Sequence, residues 1–199
     1  MKSFWNERYR EQEAAYGTHP NAFFAAQLAL LTPGSLLLPC DGEGRNSVHA
    51  AQHGWDVHSF DYSEAGVDKA LRWAEGAGVQ VNARVADALE YEPDQLFDAV
   101  ALVFAHLPAD KRLAFHRRAA HWLRPGGTLI VEGFHPDQLG LSSGGPKDVA
   151  MLFTESLLLS DFEGLDVVHS STTRTSLNEG PFHQGEAAVV RWVARRPQS

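Results

Sequence analysis

Residues 35–46 read SLLLPCDGEGRN, and this stretch decides the fold. The apolar run at 35–39 predicts a short strand that is buried on both faces. In the turn that follows, Gly42 and Gly44 permit a positive φ and a close approach of the backbone to a ligand. A helix beginning near Asn46 would point its free backbone N–H groups at that ligand. The stretch therefore predicts a strand, a binding turn and a helix.

Strands and helices alternate on both sides of this turn. Further strands are expected at 56–60, 80–85, 97–104 and 128–133, and helices at 4–9, 22–31, 46–52, 65–77 and 109–123. Such alternation is typical of a parallel sheet covered by helices on both faces. Beyond a Gly- and Ser-rich loop, the pattern predicts a helix at 148–162 and strands at 166–176 and 186–195. Because no helix fits between those two strands, we expect an antiparallel hairpin at the sheet edge.

The composition indicates a single domain, residues 1–199, with a helical flap at 1–34, a core at 35–136, and a lid loop, helix and edge hairpin at 137–199. The net charge of -8 disfavours binding of nucleic acid, because the electrostatic field of the whole chain would repel a polyanion. The longest apolar runs fall far short of the roughly 18 residues that cross a membrane. One cysteine, Cys40, allows no internal disulfide, which, with no secretory leader, favours the cytoplasm.

Two aspartates follow neighbouring strands of the expected sheet. Asp61 ends the second strand, where a carboxylate suits a bidentate hydrogen bond to ribose hydroxyls. Asp87 ends the third strand and can accept from the exocyclic amine of adenine. The dinucleotide pattern G-x-G-x-x-G is incomplete, because its third position is Ser47. The two aspartates therefore predict a site for adenosine, and the incomplete glycine pattern gives no indication of a pyrophosphate group in the ligand.

Further motifs carry a family resemblance. They are Phe4-Trp5-Asn6-Glu7-Arg8-Tyr9, Tyr16-Gly17-Thr18-His19-Pro20-Asn21, Glu43-Gly44-Arg45-Asn46, Phe104-Ala105-His106-Leu107-Pro108 and Leu123-Arg124-Pro125-Gly126-Gly127. With the glycine turn, they make the chain resemble the class I S-adenosylmethionine-dependent methyltransferases, closest to the TehB-like branch (tellurite resistance and thiopurine methyltransferase). The resemblance implies a Rossmann-like three-layer α/β sandwich with a mostly parallel seven-stranded sheet and a C-terminal antiparallel hairpin.

The resemblance also implies S-adenosylmethionine as the cofactor and a set of residues around it. These residues are Trp5, Arg8, Tyr16, Cys40, Gly42, Gly44, Asp61, Tyr62, Asp87, Ala88, Phe104 and Ala105. The glycines would cradle the methionine part, while Asp61 would hold the ribose and Tyr62 would lie along the adenine. Asp87 and the Ala88 backbone would read the adenine amine, and Phe104 and Ala105 would close the floor near the sulfonium. Trp5, Arg8 and Tyr16 would close over the cofactor, and Cys40 would contribute through its backbone. The acid that usually ends the first strand is missing.

In-line methyl transfer depends mainly on alignment and on the exclusion of water, rather than on a strong acid or base. Two histidines are candidates for accepting a proton from the methyl acceptor, namely His106 after the fourth strand and His183 in the hairpin loop. A purely structural role remains open for both. Together with Arg8, Arg45 and His135, they could make the pocket cationic, which would suit an oxyanion or a small soft anion.

The histidines and one string of glycine and serine residues invite other interpretations. No metal site is expected, because His116 and His121 are spaced off a common helix face and no H-E-x-x-H motif occurs. The string at 140–144 matches G-x-S-x-G but lacks the strand that a nucleophile elbow requires, which favours a mobile lid. A small-molecule methyl acceptor is expected, bound to a monomer or a homodimer. A cofactor-binding protein without catalysis and, less favoured, a nicotinamide-dependent oxidoreductase remain alternatives.

Overall fold

The structure is a computed structural model that describes residues 2–198. Its helices are α1 (Lys2–Glu11), α2 (Ala22–Leu28), α3 (Arg45–Gln52), α4 (Glu64–Gly76), α5 (Ala109–His121) and α6 (Glu155–Asp161). Its strands are β1 (Ser35–Pro39), β2 (Asp56–Asp61), β3 (Asn82–Val85), β4 (Phe97–Val103), β5 (Leu123–Phe134), β6 (Asp166–Asn178) and β7 (Gln184–Arg195). None of the described helices has the length and the apolar character that a membrane crossing requires.

The strands form one seven-stranded sheet in the order β3-β2-β1-β4-β5-β7-β6. The first five run parallel, whereas β7 pairs antiparallel with both β5 and β6. The expected mostly parallel sheet with a C-terminal antiparallel hairpin is thus confirmed. The chain order reverses between β1 and β4, and ligands of open parallel sheets bind where the order reverses, at the carboxyl ends of the strands.

Helices cover both faces of the sheet. Leu37 of β1 belongs to an apolar cluster with Phe115 of α5, whereas Leu36 packs in a second cluster with Phe24 of α2 and Ala50 of α3. Every residue of β1 is buried, as expected for an internal parallel strand. Burying a leucine or phenylalanine side chain contributes about 1.5–3 kcal/mol. The two clusters therefore hold the three layers together and fix the strand ends.

The helix expected at 148–162 is wrong in its first half. The structure has a short 3-10 turn at Val149–Met151, an extended segment, and then α6. The extended segment exists because the Phe153 N–H donates to the Phe134 carbonyl at 2.8 Å. Thr154 then begins α6, since its hydroxyl accepts from the Leu157 N–H at 3.1 Å. A tertiary hydrogen bond and a local cap thus override the helical periodicity.

Candidate active site

Two non-glycine residues with positive φ mark the carboxyl edge of the sheet. Cys40 follows β1 with φ 57°, and Phe104 follows β4 with φ 52°. They are the residues directly after two neighbouring strands, at the place where the strand order reverses. Such backbone conformations are costly for residues with a side chain and cluster at functional sites. The two strained residues therefore lie at the sheet edge where the sequence motifs predict a site.

The glycine turn is shaped by contacts from two sides. Gly42 has φ 58°, and a Cβ there would meet the Tyr9 hydroxyl and lie 2.9 Å from Tyr9 Cζ. Gly44 has φ 85°, and its Cβ would lie 2.5 Å from the Cβ of Ala70 in α4. Gly44 is therefore needed for the packing of the turn against α4, and Gly42 for the approach of α1.

Asp61 is bonded to the same turn. One carboxylate oxygen accepts from the Gly42 N–H at 2.9 Å and the other from the Ser63 N–H at 2.8 Å. Burial raises the pKa of Asp61 to about 6, although these backbone hydrogen bonds lower it. Each carboxylate oxygen can accept a second hydrogen bond. Asp61 therefore fixes the turn and keeps acceptor capacity toward the strand edge.

Asp87 lies beyond the end of the neighbouring strand. In the β2–β3 pairing, Asp61 lies opposite Val85, two residues before Asp87. One Asp87 oxygen accepts from the Leu89 N–H at 2.9 Å, which closes a local turn. Ala88 is buried in the cluster of α5, whereas Tyr62 is 38% exposed. The two acids thus lie after adjacent strands, as the sequence predicts.

The flap lies over the glycine turn. Tyr9 is buried and stacks on Trp5, with ring centroids 5.8 Å apart. Arg8 donates to the Tyr16 hydroxyl at 2.9 Å and lies 4.1 Å from the Phe182 ring of the hairpin loop. Trp5, Arg8 and Tyr16 therefore come together as expected, and Tyr9 is the flap residue closest to the turn. Phe23 and Phe24 of α2 pack in the second apolar cluster, against the sheet.

The motif Glu43-Gly44-Arg45-Asn46 anchors the flap and the hairpin loop. Glu43 accepts from the Ala15 N–H at 2.8 Å and forms an ion pair with Lys69 at 2.8 Å. Asn46 accepts from the Asn21 N–H at 2.9 Å. The local sequence does not indicate these contacts, because the partners lie far along the chain. The one signal in the sequence is that these four residues form a motif of the family resemblance.

His106 and His183 differ in what their ring nitrogens contact. His106 Nδ1 donates to the Met151 carbonyl at 2.7 Å, and its Nε2 accepts from the Phe134 N–H at 3.0 Å. Burial lowers the pKa of His106 to about 4. Both nitrogens are engaged, so this geometry favours the structural interpretation of His106. His183 lies among the rings of Tyr16 and Phe104, each with its centroid 4.6 Å away.

The floor near these histidines is aromatic. Phe104 packs on Phe134 with centroids 4.6 Å apart, and Ala105 is buried beside it. Of the cations expected here, Arg45 is neutralised by Glu179 at 2.7 Å, and His135 accepts from the Asp137 N–H. Arg8 has no carboxylate within ion-pair distance among residues 2–198. Of the two arginines expected in the pocket, Arg8 alone therefore carries a charge that no carboxylate of residues 2–198 offsets.

The loop expected to be a lid is tied down. Ser143 donates to the Glu186 carbonyl at 2.6 Å and accepts from Gln138 at 2.9 Å. A 3-10 turn at Pro136–Gln138 precedes the loop, so no strand leads directly into Ser142. The string at 140–144 therefore lacks the geometry of a nucleophile elbow.

Asp41 begins the glycine turn and is half-buried. Both of its carboxylate oxygens are buried and have no hydrogen-bond partner among residues 2–198. Burial raises the pKa of Asp41 to about 7, and the nearby Arg45 charge lowers it. Such a carboxyl group needs either a proton or a cationic partner. It is the acid nearest to the end of β1.

We expect the free energy of unfolding to fall as the pH rises from about 6.5 to 8. Burial raises the pKa of Asp41 and of Glu132 to about 7, so in this range the folded chain must release protons that the unfolded chain has already lost. Below about pH 6.5 two effects oppose each other. The buried acids continue to favour the folded chain as the pH falls, whereas unfolded histidines take up protons that His106, whose pKa burial lowers to about 4, does not.

Urea denaturation followed by circular dichroism across this pH range measures the effect. The variant Glu132→Gln should make the fall from pH 6.5 to 8 smaller, and between about pH 4.5 and 6.5 its stability should rise with pH relative to the wild type. A stability that rises steadily from pH 6 to 8 would contradict the assignment of these buried groups.

Comparisons with known proteins agree with this geometry. Residues 38–127 match a family model described as a methyltransferase domain. No curated protein sequence matches the chain. Among solved structures, one reported for the conversion of a disulfide bond into a thioacetal group during echinomycin biosynthesis shares 20% identity, with TM-score 0.79. That match covers 100% of this chain and 93% of the other.

Two further structures share the fold. TehB from Haemophilus influenzae is 16% identical, with TM-score 0.75, over 98% of this chain and 66% of its own. The N-methyltransferase NodS from Bradyrhizobium japonicum WM9, in complex with S-adenosyl-L-homocysteine, is 13% identical, with TM-score 0.72, over 98% of both chains. Residues 38–127 thus match a methyltransferase domain, and the whole described chain shares its fold with solved methyltransferases.

Proposed function

We propose that this chain transfers a methyl group from S-adenosylmethionine to a small-molecule acceptor, a thiol, an oxyanion or a small metabolite, by in-line displacement. The observation that carries the proposal is the placement of Asp61 and Asp87 after adjacent strands, beside a glycine turn that the flap covers. The strained residues Cys40 and Phe104 at the same edge support it.

The residues present fit the cofactor. Asp61 keeps acceptor capacity for ribose hydroxyls beyond its two backbone bonds, and Asp87 has a second oxygen for the adenine amine. Asp41 has two buried oxygens without partners, and an ammonium group would supply the positive partner that they need. When bound, S-adenosylmethionine supplies a methyl group on a positively charged sulfur. The family's missing acid therefore has a candidate substitute one position after Cys40.

The flap would contribute by excluding water and by aligning the acceptor. Trp5, Tyr9 and Tyr16 form a continuous aromatic layer, with centroids 5.8–6.4 Å apart. An aromatic face near a sulfonium contributes about 0.5–2 kcal/mol of cation–π attraction. Alignment supplies the larger part of the acceleration, because well-oriented groups reach effective molarities on the order of 10⁵ M.

His183 is our candidate for the proton acceptor. We expect His183→Asn to lower turnover of an acceptor with a dissociable proton by about 100-fold, the usual scale for lost acid–base help. The dissociation constant for S-adenosylmethionine should stay within about twofold of the wild-type value, because the ring is not expected to contact the adenosine. Steady-state kinetics and calorimetry on the same preparations measure the two quantities.

Two other histidine variants serve as comparisons for His183→Asn. His121, exposed at the end of α5, is the matched control, and His121→Asn should change neither quantity. His106→Asn should mainly lower stability, because it disturbs the bonds to Met151 and Phe134. Unchanged turnover in His183→Asn on a true acceptor would remove His183 from the mechanism.

Calorimetric titration and a methylation assay test the function itself. S-adenosylmethionine should bind and NAD should not, and methylated product should appear with at least one acceptor among thiols, halides, tellurite and selenite. Binding without methylation of any acceptor would favour the cofactor-binding protein, and NAD binding would favour the oxidoreductase. The resemblance of the sequence to the tellurite-resistance branch makes tellurite and selenite the first acceptors to assay.

The remaining assignments are part of the same proposal. We place the chain in the TehB-like branch, acting in the cytoplasm as one domain, in a monomer or a homodimer, with no nucleic-acid or membrane partner. The domain would comprise the flap (1–34), the cofactor-binding core (35–136) and the lid loop, helix and hairpin (137–199). Size-exclusion chromatography with light scattering measures the oligomeric state.

A further inference from the structure

A buried ionic cluster links α3 to the hairpin loop. Arg45 Nη2 donates to Glu179 Oε2 at 2.7 Å, and the same oxygen lies 3.5 Å from His183 Nδ1. All three side chains are buried. Since Arg45 directly follows Gly44 of the glycine turn, the cluster joins the expected cofactor loop to the hairpin loop.

Glu179 is held in one orientation. Its other oxygen, Oε1, accepts from Asn21 Nδ2 at 2.9 Å, at the start of α2. Its backbone N–H donates to the His183 carbonyl at 2.8 Å, and the His183 N–H donates back to Gly180 at 3.2 Å. The loop is thus closed by main-chain bonds, and the Glu179 carboxylate has little freedom to turn away from His183.

The His183 ring has one nitrogen in need of a partner. Nδ1 is buried and makes no hydrogen bond within residues 2–198, and Glu179 Oε2 is a charged oxygen only a few tenths of an ångström beyond hydrogen-bond range. A buried N–H without an acceptor costs about 1–3 kcal/mol, which a small approach to Glu179 recovers. Nε2 lies on the other side of the ring, where a Cβ on Gly144 would be 3.4 Å from it.

From this geometry we propose that Glu179 is a positioning residue: it holds the Nδ1–H tautomer of His183 and leaves the Nε2 lone pair for the proton of the methyl acceptor. The inference rests on the proposed function. In the step, the acceptor's proton moves to Nε2, and the electron pair left on the acceptor forms the bond to the methyl carbon. The carbon–sulfur bonding pair stays on sulfur, so atoms and electrons balance.

Several charges act on His183 together with Glu179. Burial lowers the pKa of His183, the Glu179 carboxylate raises it, and the cations Arg45 and Arg8 lower it. Tyr16 and His106 also face this region, and burial keeps Tyr16 neutral by raising its pKa. Glu179 is therefore the one group in this set that favours the imidazolium that forms when Nε2 takes a proton.

Nitrogen-15 NMR of the histidine rings in the wild-type chain without cofactor tests the tautomer. We expect His183 as the Nδ1–H tautomer with a non-protonated Nε2. In Glu179→Gln, the pKa of His183 should fall by about 1 unit or more, since a close opposite charge shifts a pKa by that amount. The Nε2–H tautomer in the wild type would overturn the proposal even if the variant failed to fold.

Kinetics add a readout that a structural role would not change. Glu179→Gln should lower kcat about 10-fold and move the acid limb of the pH–rate profile to lower pH, with little change in cofactor affinity. Glu132→Gln is the control, because Glu132 is buried in β5 near Glu179 and is not an ion-pair partner of His183. An unshifted profile in Glu179→Gln, or an equal shift in Glu132→Gln, would overturn it. A wild type that binds no S-adenosylmethionine would instead refute the proposed function and leave the tautomer result standing.

Discussion

Asp61→Asn is expected to weaken binding of S-adenosylmethionine about 100-fold. The carboxylate holds the Gly42 and Ser63 N–H groups and would also accept from the ribose. Asparagine keeps the size but offers one acceptor oxygen, so it faces one of these N–H groups with its own NH2. Hydrogen bonds to a charged group contribute about 1.5–3 kcal/mol each, and 1.4 kcal/mol corresponds to a factor of ten in affinity.

Calorimetry with S-adenosylmethionine and S-adenosylhomocysteine measures this loss. Asp56→Asn is the matched control, because Asp56 begins the same strand at the opposite edge of the sheet and is exposed. In the wild type, affinity should also fall as the pH drops through about 6, since burial raises the pKa of Asp61 to that value. An affinity for Asp61→Asn within about threefold of the wild type would remove Asp61 from the cofactor site.

The order of the elements was predictable because each element carries its own local signal. Leu36, Leu37 and Leu38 are buried on both faces of β1, and a continuous apolar run is the pattern that such a strand requires. The hairpin followed from the absence of any helical segment between β6 and β7. The helix expected at 148–162 was wrong because its break depends on a bond from Phe153 to Phe134, which no local pattern records.

The candidate site was predictable where a strand end carries the residue. Asp61 and Asp87 lie after adjacent strands because parallel strands bring their carboxyl ends to one edge. The roles of Glu43, Arg45 and Glu179 were not predictable in this way. Arg45 and Glu179 are 134 residues apart, and only the folded chain brings them together. His106 depends likewise on two backbone groups that the local sequence does not identify.

These long-range bonds couple the glycine turn to the two segments that cover it. Glu43 binds the flap through the Ala15 N–H, and Arg45 binds the hairpin loop through Glu179. The turn, the flap and the loop should therefore move as connected parts when the cofactor enters. The backbones of flap and loop approach each other closely at Gly17 and Gly180.

Gly180→Ala is expected to separate the flap from the hairpin loop, at a cost of about 3 kcal/mol, the combined scale of left-handed strain and overpacking. Gly180 has φ 77°, and a Cβ there would lie against the Gly17 nitrogen, 2.7 Å from the Tyr16 carbonyl carbon and 2.9 Å from the Ala15 oxygen. These are backbone atoms, so no side-chain rotation relieves the clash.

Limited trypsin digestion measures the opening, since Arg8 and Arg10 lie in the flap. Cleavage there should become about 100-fold faster in Gly180→Ala, because 1.4 kcal/mol is a factor of ten in an equilibrium. Gly78→Ala is the control: Gly78 has φ 69°, and its Cβ would have nothing within 4 Å, so that variant tests the strain without the clash. Equal cleavage rates in the two variants would show that the crossing does not hold the flap closed. Faster cleavage in Gly180→Ala alone, with weaker cofactor binding, would show that contact between flap and loop keeps the glycine turn covered.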